Sequence, residues 1–403
     1  MQSASRYTLI SADGHAGGSP DNYREYLETS YLEQFDAWRA RYRNPFRDLQ
    51  NDGRTRNWDS DRRLGDLHTD GVVAEVLFPN TIPPFFPTGA VIAPAPSAAD
   101  FELRLAGVRA HNRWLADFCA TAPGKRVGLA QILLNDLEAA LDDVRWANEH
   151  NLSGILLPGV SPDTPWIEPL YSRHYDPLWE LCEDLELPIT HHAGGSGVPN
   201  YVRHDASTVV FVLETGFFAN RTLWHLMMAG VFERFPRLRF VLTEQGCAWV
   251  PNVLSRMDAL HDQMSRGRIG ELVVVPESVL PERPSTYFAR NCYIGASFPS
   301  PTDAAAIREI GIDRVMWGSD YPHFEASWPF TTQSLQLSFC DFTETEMRSM
   351  LAGTAAKVYG FDLDALATDA AMHGPTVAEI ATPLDAIPVG ATSPAFAGGI
   401  PSR

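Results

Sequence analysis

Short apolar runs rich in β-branched residues alternate along this chain with longer stretches whose apolar positions recur every three or four residues. Repeated from Tyr7 to about Gly360, that alternation is the pattern of βα units laid around a parallel sheet. The runs predict strands over 7–11, 72–78, 126–132, 154–157, 187–192, 240–244, 291–296 and 314–318. Eight such units place the chain in the α/β class as a closed (β/α)8 TIM barrel rather than an open doubly wound sheet. After the third run, Leu137, Ala140, Leu141 and Val144 keep a helical period, and Asn135 with Glu138 has the spacing of an N-cap pair. No repeat of solenoid or propeller length is present.

Two segments exceed a minimal barrel. An insertion over 16–60 follows the first strand, and within it Leu27, Tyr31, Phe35, Trp38 and Tyr42 recur at steps of three and four, as on one face of a single helix. Packing against the barrel is the preferred reading, and a lid over an apolar substrate is the alternative. At the other end, the barrel is expected to occupy 1–365 and an irregular C-terminal arm 366–403. Residues 386–402 carry one acidic-free, Pro-, Gly- and Ala-rich run that would lie along its own chain or a neighbouring subunit, which leaves a homo-oligomer open.

Composition narrows the partners. The 403 residues are 45% hydrophobic, enough for a large core, and 50 acidic against 32 basic side chains give a net charge of −18. Such a field opposes nucleic acid and anionic membranes, so a small-molecule substrate is expected. The N-terminus lacks the basic-then-apolar plan of a secretory signal and no apolar run is long enough for a membrane span, which predicts a cytoplasmic protein. Five cysteines without a CxxC indicate neither a disulfide framework nor a thiolate zinc cluster. No Rossmann or Walker glycine motif argues for a nucleotide cofactor.

Catalytic groups of a TIM barrel sit at the C-terminal ends of its strands. Four predicted strands end in metal-ligand types: Asp13-Gly14-His15, Thr190-His191-His192, Thr243-Glu244-Gln245 and Ser319-Asp320-Tyr321-Pro322-His323. Gathering these charges in one narrow mouth is costly unless a cation is present. His191 should face away from His192 in a regular strand and is a further, weaker ligand candidate. His323 is placed as an orienting partner of Asp320. His111, His150, His174, His225 and His261 belong to no constellation and read as structural or surface residues. The stiff apolar stretch Asn80-Thr81-Ile82-Pro83-Pro84-Phe85-Phe86-Pro87 falls at the same mouth, and Phe85, Phe86, Trp249 and Phe298 are candidates for the wall of a hydrophobic pocket.

DGH at the first strand, LPITHHAGG at the fifth, GVFERFPRLRFVLTEQG through the sixth and WGSDYPH at the eighth resemble the amidohydrolase-related family of metal-dependent TIM barrels. The resemblance implies a mono- or dinuclear divalent-metal site, in members that hydrolyse amides, esters or lactones or decarboxylate aromatic acids. Carried over, the HxH pair falls on Asp13 and His15, the fifth-strand His on His192, the sixth-strand His on Glu244 and the eighth-strand Asp on Asp320. Asp13 and Glu244 each replace an imidazole by a carboxylate, and the fourth strand offers no bridging Lys or Glu. The resulting set resembles the minority of such barrels that are dinuclear non-heme iron monooxygenases acting on terpenoid acyl substrates. The leading expectation is therefore a di-iron enzyme using O2 and an external electron donor to hydroxylate a bulky apolar molecule. Its metal ligands would be Asp13, His15, His192, Glu244 and Asp320, with manganese or zinc as other metals, and Glu244, Asp320 and His323 would be its catalytic groups. The alternative is a metal-dependent hydrolase or non-oxidative decarboxylase, and a metal-stabilised binding protein is a third reading.

Overall fold

A computed structural model describes residues 5–42, 52–194 and 197–400 of the chain, with side chains described from Thr55 onward in the second stretch. Among these residues the expected barrel is present. Its strands are β1 Leu9–Ala16, β2 Val72–Pro79, β3 Arg126–Gly128 with its continuation Ala130–Gln131, and β4 Ile155–Leu156. They continue as β5 Ile189–His192, β6 Phe240–Thr243, β7 Cys292–Ser297 and β8 Val315–Gly318. All pairings between these strands are parallel, in the order β1-β2-β3 and then β4-β5-β6-β7-β8. The ring closes where Gly14 bridges Tyr321 and the His15 amide donates to the Tyr321 carbonyl at 2.7 Å. This is the (β/α)8 architecture, and among the described residues no helix is long and apolar enough to cross a membrane.

Two layers of core hold it. Ile10 and Ala12 of β1, Val76 and Phe78 of β2, Leu129, Leu156, Val241, Tyr293 and Met316 form one buried cluster drawn from nearly every strand, the packed interior of the barrel. A larger cluster joins the outer strand faces to the surrounding helices through Leu9, Trp114, Trp179, Phe232 and Trp317, among others. Strands buried on both faces read as continuous apolar runs, which is why eight of them were visible in the sequence.

Several local expectations need correction. Helix Leu137–Glu149 is capped by Asp136, whose Oδ1 accepts from the Ala139 amide at 3.1 Å, while Asn135 turns its amide to the Pro96 carbonyl at 2.8 Å. The aromatic stripe is not one helix, because Leu27 and Glu28 are extended between helices Pro20–Tyr26 and Leu32–Arg41. Leu27 and Phe35 nevertheless pack with Ala106, Ala110 and Phe85, and Trp38 stacks on Tyr42 with ring centroids 4.7 Å apart. That is a packing role against helix Phe101–Ala120. The rest of the insertion up to residue 51 lies outside the described residues. At the C-terminus, helix Leu363–His373 runs across the expected boundary at residue 365, and Leu366 and Ala370 are buried. The uncharged run beyond it lays Ala395 and Phe396 against Leu337 of the same chain.

Candidate metal centre

β1 stays fully buried to its end and carries Asp13 and His15 into the C-terminal mouth of the barrel. β5 delivers His192, the turn after β6 delivers Glu244, and the turn after β8 delivers Asp320 and His323. The His15 Nε2 atom lies 3.2 Å from Asp13 Oδ1 and 3.2 Å from Asp320 Oδ1. The His192 Nε2 atom lies 3.4 Å from Asp13 Oδ1 and 3.2 Å from Glu244 Oε2. One ligand atom from each of Asp13, His15, His192 and Glu244 falls within 4.8 Å of the others. All five side chains predicted as ligands are thus brought together.

The backbone bends to do this. Glu244 and Asp320 take left-handed φ values of +55° and +63°, a conformation that costs a non-glycine residue about 1 kcal/mol or more and recurs where a site requires it. Asp13 in turn depends on Gly318, since a Cβ there would sit 2.6 Å from the Asp13 Cβ.

The donor atoms fit a small cation. Asp13 Oδ1, His15 Nε2, His192 Nε2 and Asp320 Oδ2 are buried with no aligned hydrogen-bond partner. Imidazole Nδ1 of His15 lies 3.4 Å from the Pro79 carbonyl and that of His192 lies 2.5 Å from the Ala193 carbonyl. A carbonyl only accepts, so both Nδ1 atoms carry a hydrogen and both Nε2 atoms face the cluster. Around a divalent ion with bonds of about 2.1 Å, adjacent donors lie about 3.0 Å apart in octahedral and about 3.4 Å apart in tetrahedral coordination. The observed 3.2–3.4 Å spacings fall in that range.

Charges in the mouth are unequal. Burial opposes ionisation of Asp13, yet the imidazoles of His15 and His192 outweigh it and hold its carboxyl well below the usual range. Glu244 is pushed up to about 8 by burial and by the Asp320 charge. His323 is raised to about 10 because Asp320 overcomes its burial. Its Nδ1 donates to Asp320 Oδ1 at 2.7 Å and its Nε2 to Asn80 Oδ1 at 3.0 Å, so both nitrogens hold protons and Asp320 faces an imidazolium. His323 therefore orients Asp320, as its spacing suggested. His191 turns away, donating Nδ1–H to the Leu157 carbonyl at 3.0 Å, and burial draws it down to about 4. The alternation along β5 removes it from the cluster.

Three contributors were missed by reading the sequence. Arg63, fully buried, donates to the His15 carbonyl at 2.7 Å and makes a bidentate ion pair with Glu75. Ser297, closing β7, donates to Asp13 Oδ2. Asn80 fixes His323. A usable signal existed for the first: Glu75 is a single charge inside an otherwise apolar strand and demands a buried cation.

A cavity of about 360 Å³ opens over the cluster, lined by His15, Asn80, Val91, His192, Phe211 and Glu244 among others. The expected aromatic wall is largely elsewhere. Trp249 hydrogen-bonds the Gln245 carbonyl, Phe85 packs on Phe35 and Trp38, and Phe298 joins the cluster under the C-terminal arm. Only Phe86 of the four lines a cavity that touches His192, a smaller one of about 40 Å³. The backbone is left-handed at both Phe85 and Phe298, where φ is +67° and +35°.

Comparison with known proteins agrees with this geometry. The amidohydrolase family model (Amidohydro_2) matches residues 52–361, most of the chain. The chain belongs to the amidohydrolase family. Among relatives of this amidohydrolase, gamma-resorcylate decarboxylase of Rhizobium sp. (strain MTP-10005) is 30% identical over 222 residues, covering 53% of this chain and 65% of that enzyme. The enzyme of the same name from Polaromonas sp. (strain JS666) is 29% identical over 239 residues, covering 57% and 70%. An amidohydrolase structure from Mycobacterium avium subsp. paratuberculosis shares the fold with a TM-score of 0.65 at 17% identity, covering 88% of this chain and 99% of that one. The 5-carboxyvanillate decarboxylase of Novosphingobium aromaticivorans, described with bound manganese, has a TM-score of 0.65 at 18% identity and covers 88% and 96%.

These relatives overturn the leading expectation. They are decarboxylases, so the di-iron monooxygenase, with its iron pair, O2, electron donor and terpenoid substrate, is withdrawn. The physical error lay in reading three carboxylates as a demand for two redox cations. In the structure His323 pairs with Asp320, and burial with the Asp320 charge pushes Glu244 up to about 8, so the three carboxylates do not carry equal negative charge.

Proposed function

We propose that this amidohydrolase is a divalent-metal-dependent decarboxylase that removes CO2, without oxidation, from a hydroxylated aromatic acid. The observation that carries the reading is the convergence of unpartnered Asp13, His15, His192 and Asp320 atoms beneath a cavity of about 360 Å³. The similarity to gamma-resorcylate decarboxylases supports it. These four residues would hold one ion, of the manganese type, in place of the two irons expected. The ion would supply Lewis-acid binding of the substrate's carboxylate and an adjacent hydroxyl oxygen.

Decarboxylation requires a proton at the ring carbon that bears the carboxylate. The carbon–carbon bond then breaks, its electron pair restores the aromatic ring, and CO2 departs. Glu244 lines the cavity beside His192 and would give that proton, regaining one from solvent. Asp320, oriented by His323, lies 3.2 Å from His15 Nε2 and would shape the anionic side of the site. Phe78 packs on His192 at 4.6 Å between ring centroids and excludes water from behind the imidazoles.

The test is turnover of 2,6-dihydroxybenzoate and 5-carboxyvanillate by manganese-loaded protein, following CO2, the ring product and dissolved oxygen together. CO2 and product in equal amounts with no oxygen uptake are expected, and Glu244→Gln should abolish turnover while keeping the metal. Absence of CO2 from every hydroxybenzoate, alongside hydrolysis of an ester or lactone, would overturn the reading.

A further inference from the structure

The smaller cavity, of about 40 Å³, shares Val91 and His192 with the mouth, so the two spaces meet at the metal cluster. Its walls are mainly apolar: Phe86, Pro94, Leu134 and Leu157 are among them. Three polar side chains also line it, and each has an atom buried without a partner: Arg104 Nε, Gln131 Nε2 and Asn135 Oδ1. Their unused valences are two donors and one acceptor.

Arg104 is the unusual member. It is 6% exposed, donates one Nη1–H to the Pro94 carbonyl at 2.8 Å, and stacks over the Phe86 ring with its guanidinium carbon 4.1 Å from the centroid. No carboxylate of the described residues pairs with it. The nearest charge acting on it is Asp100, one helical turn away on its own helix, and burial lowers its pKa to about 10, which leaves it a cation at neutral pH. A buried cation without a counter-ion is costly, and the stacking on Phe86 offsets only part of that. The other buried arginines here differ: Arg63 and Arg126 both face Glu75.

We propose that Arg104, with Gln131 and Asn135, forms an anion subsite beside the metal centre that takes a second carboxylate, or an equivalent oxyanion, carried by the aromatic substrate. A cavity of this size holds about two or three waters or one carboxylate. The two donors match carboxylate oxygens, and the Asn135 acceptor matches a neighbouring hydroxyl. Gly194 helps to bring the two spaces together, since a Cβ on it would lie 2.3 Å from the Val91 carbonyl oxygen that separates them. The subsite deepens the decarboxylase reading and rests on it for the aromatic skeleton alone.

Calorimetric binding of benzoate, phthalate, isophthalate and terephthalate to the purified full chain, at constant ionic strength, tests it. At least one dicarboxylate should bind about tenfold or more tightly than benzoate. Arg104→Met should erase that preference while leaving metal content unchanged, and Arg104→Lys should keep part of it. Gln131→Glu places a carboxylate inside the same pocket, and should both remove the preference and raise the melting temperature. It serves if Arg104→Met does not fold. A preference that survives Arg104→Met or Gln131→Glu, or no preference for any dicarboxylate, overturns the subsite. Because these acids are read by binding and not by turnover, a failed decarboxylation assay and a failed subsite remain distinct results.

Discussion

Arg63 ties the barrel's first turn to its second strand, and its removal gives the sharpest test of how the metal cluster is supported. Its Nε and Nη2 donate to the two oxygens of Glu75, both at 2.7 Å, and its Nη1 donates to the carbonyls of His15 at 2.7 Å and Arg56 at 3.0 Å. Both partners of the pair are at most 1% exposed, so water cannot replace what is lost. Breaking a buried pair by deleting one partner costs about 3–5 kcal/mol, chiefly because the other charge is stranded. Arg126 remains 3.4 Å from Glu75, which places Arg63→Met near the lower end, about 3 kcal/mol. Replacing both partners, as Arg63→Met with Glu75→Met, leaves Arg126 buried without its carboxylate and should therefore not recover that loss. Urea unfolding followed by tryptophan fluorescence would compare the four proteins of this cycle. Because the His15 carbonyl loses its donor, manganese affinity should also fall by about 10–100-fold in the single mutant. A single mutant within about 1 kcal/mol of wild type, or a double mutant that regains most of the stability lost by the single, would refute the argument.

Gly318→Ala should displace Asp13 through the 2.6 Å approach of the new Cβ and lower bound manganese, measured by metal analysis of folded protein; full occupancy would show that Asp13 is dispensable. Asp70 has its pKa raised to about 7 by burial, partly opposed by its bonds to Thr331. The folded state then binds a proton that the unfolded chain releases near its ordinary value, so Asp70 favours folding at low pH and that contribution is lost as pH rises to about 7. Asp70→Asn should therefore gain stability relative to wild type from pH 5 to pH 8, reaching on the order of 3 kcal/mol, read by denaturation at the two pH values; a gap that does not widen with pH counts against it. Phe298→Ala should loosen the C-terminal segment packed on it and lower the melting temperature while leaving KM for the hydroxybenzoate unchanged. A raised KM would return Phe298 to the pocket wall.

The amino-acid order by itself determined the barrel and which polar side chains meet at its mouth. Strands buried on both faces must be continuously apolar, so the eight runs stood out, and polar residues at their C-terminal ends could only converge at one mouth. Asp13, His15, His192, Glu244 and Asp320 were legible for that reason, and the two-residue period of a strand already turned His191 away. Tertiary structure decided what the charges mean. The pairing of His323 with Asp320 across a tight turn, and the burial and Asp320 charge that push Glu244 up to about 8, depend on distances that spacing does not encode. So do Arg63 reaching His15 from a helix 48 positions along the chain and Arg104 standing without a carboxylate beside His192. Pattern reports which face a side chain occupies, whereas the energy of a charge is set by whatever distant segment of chain is folded against it.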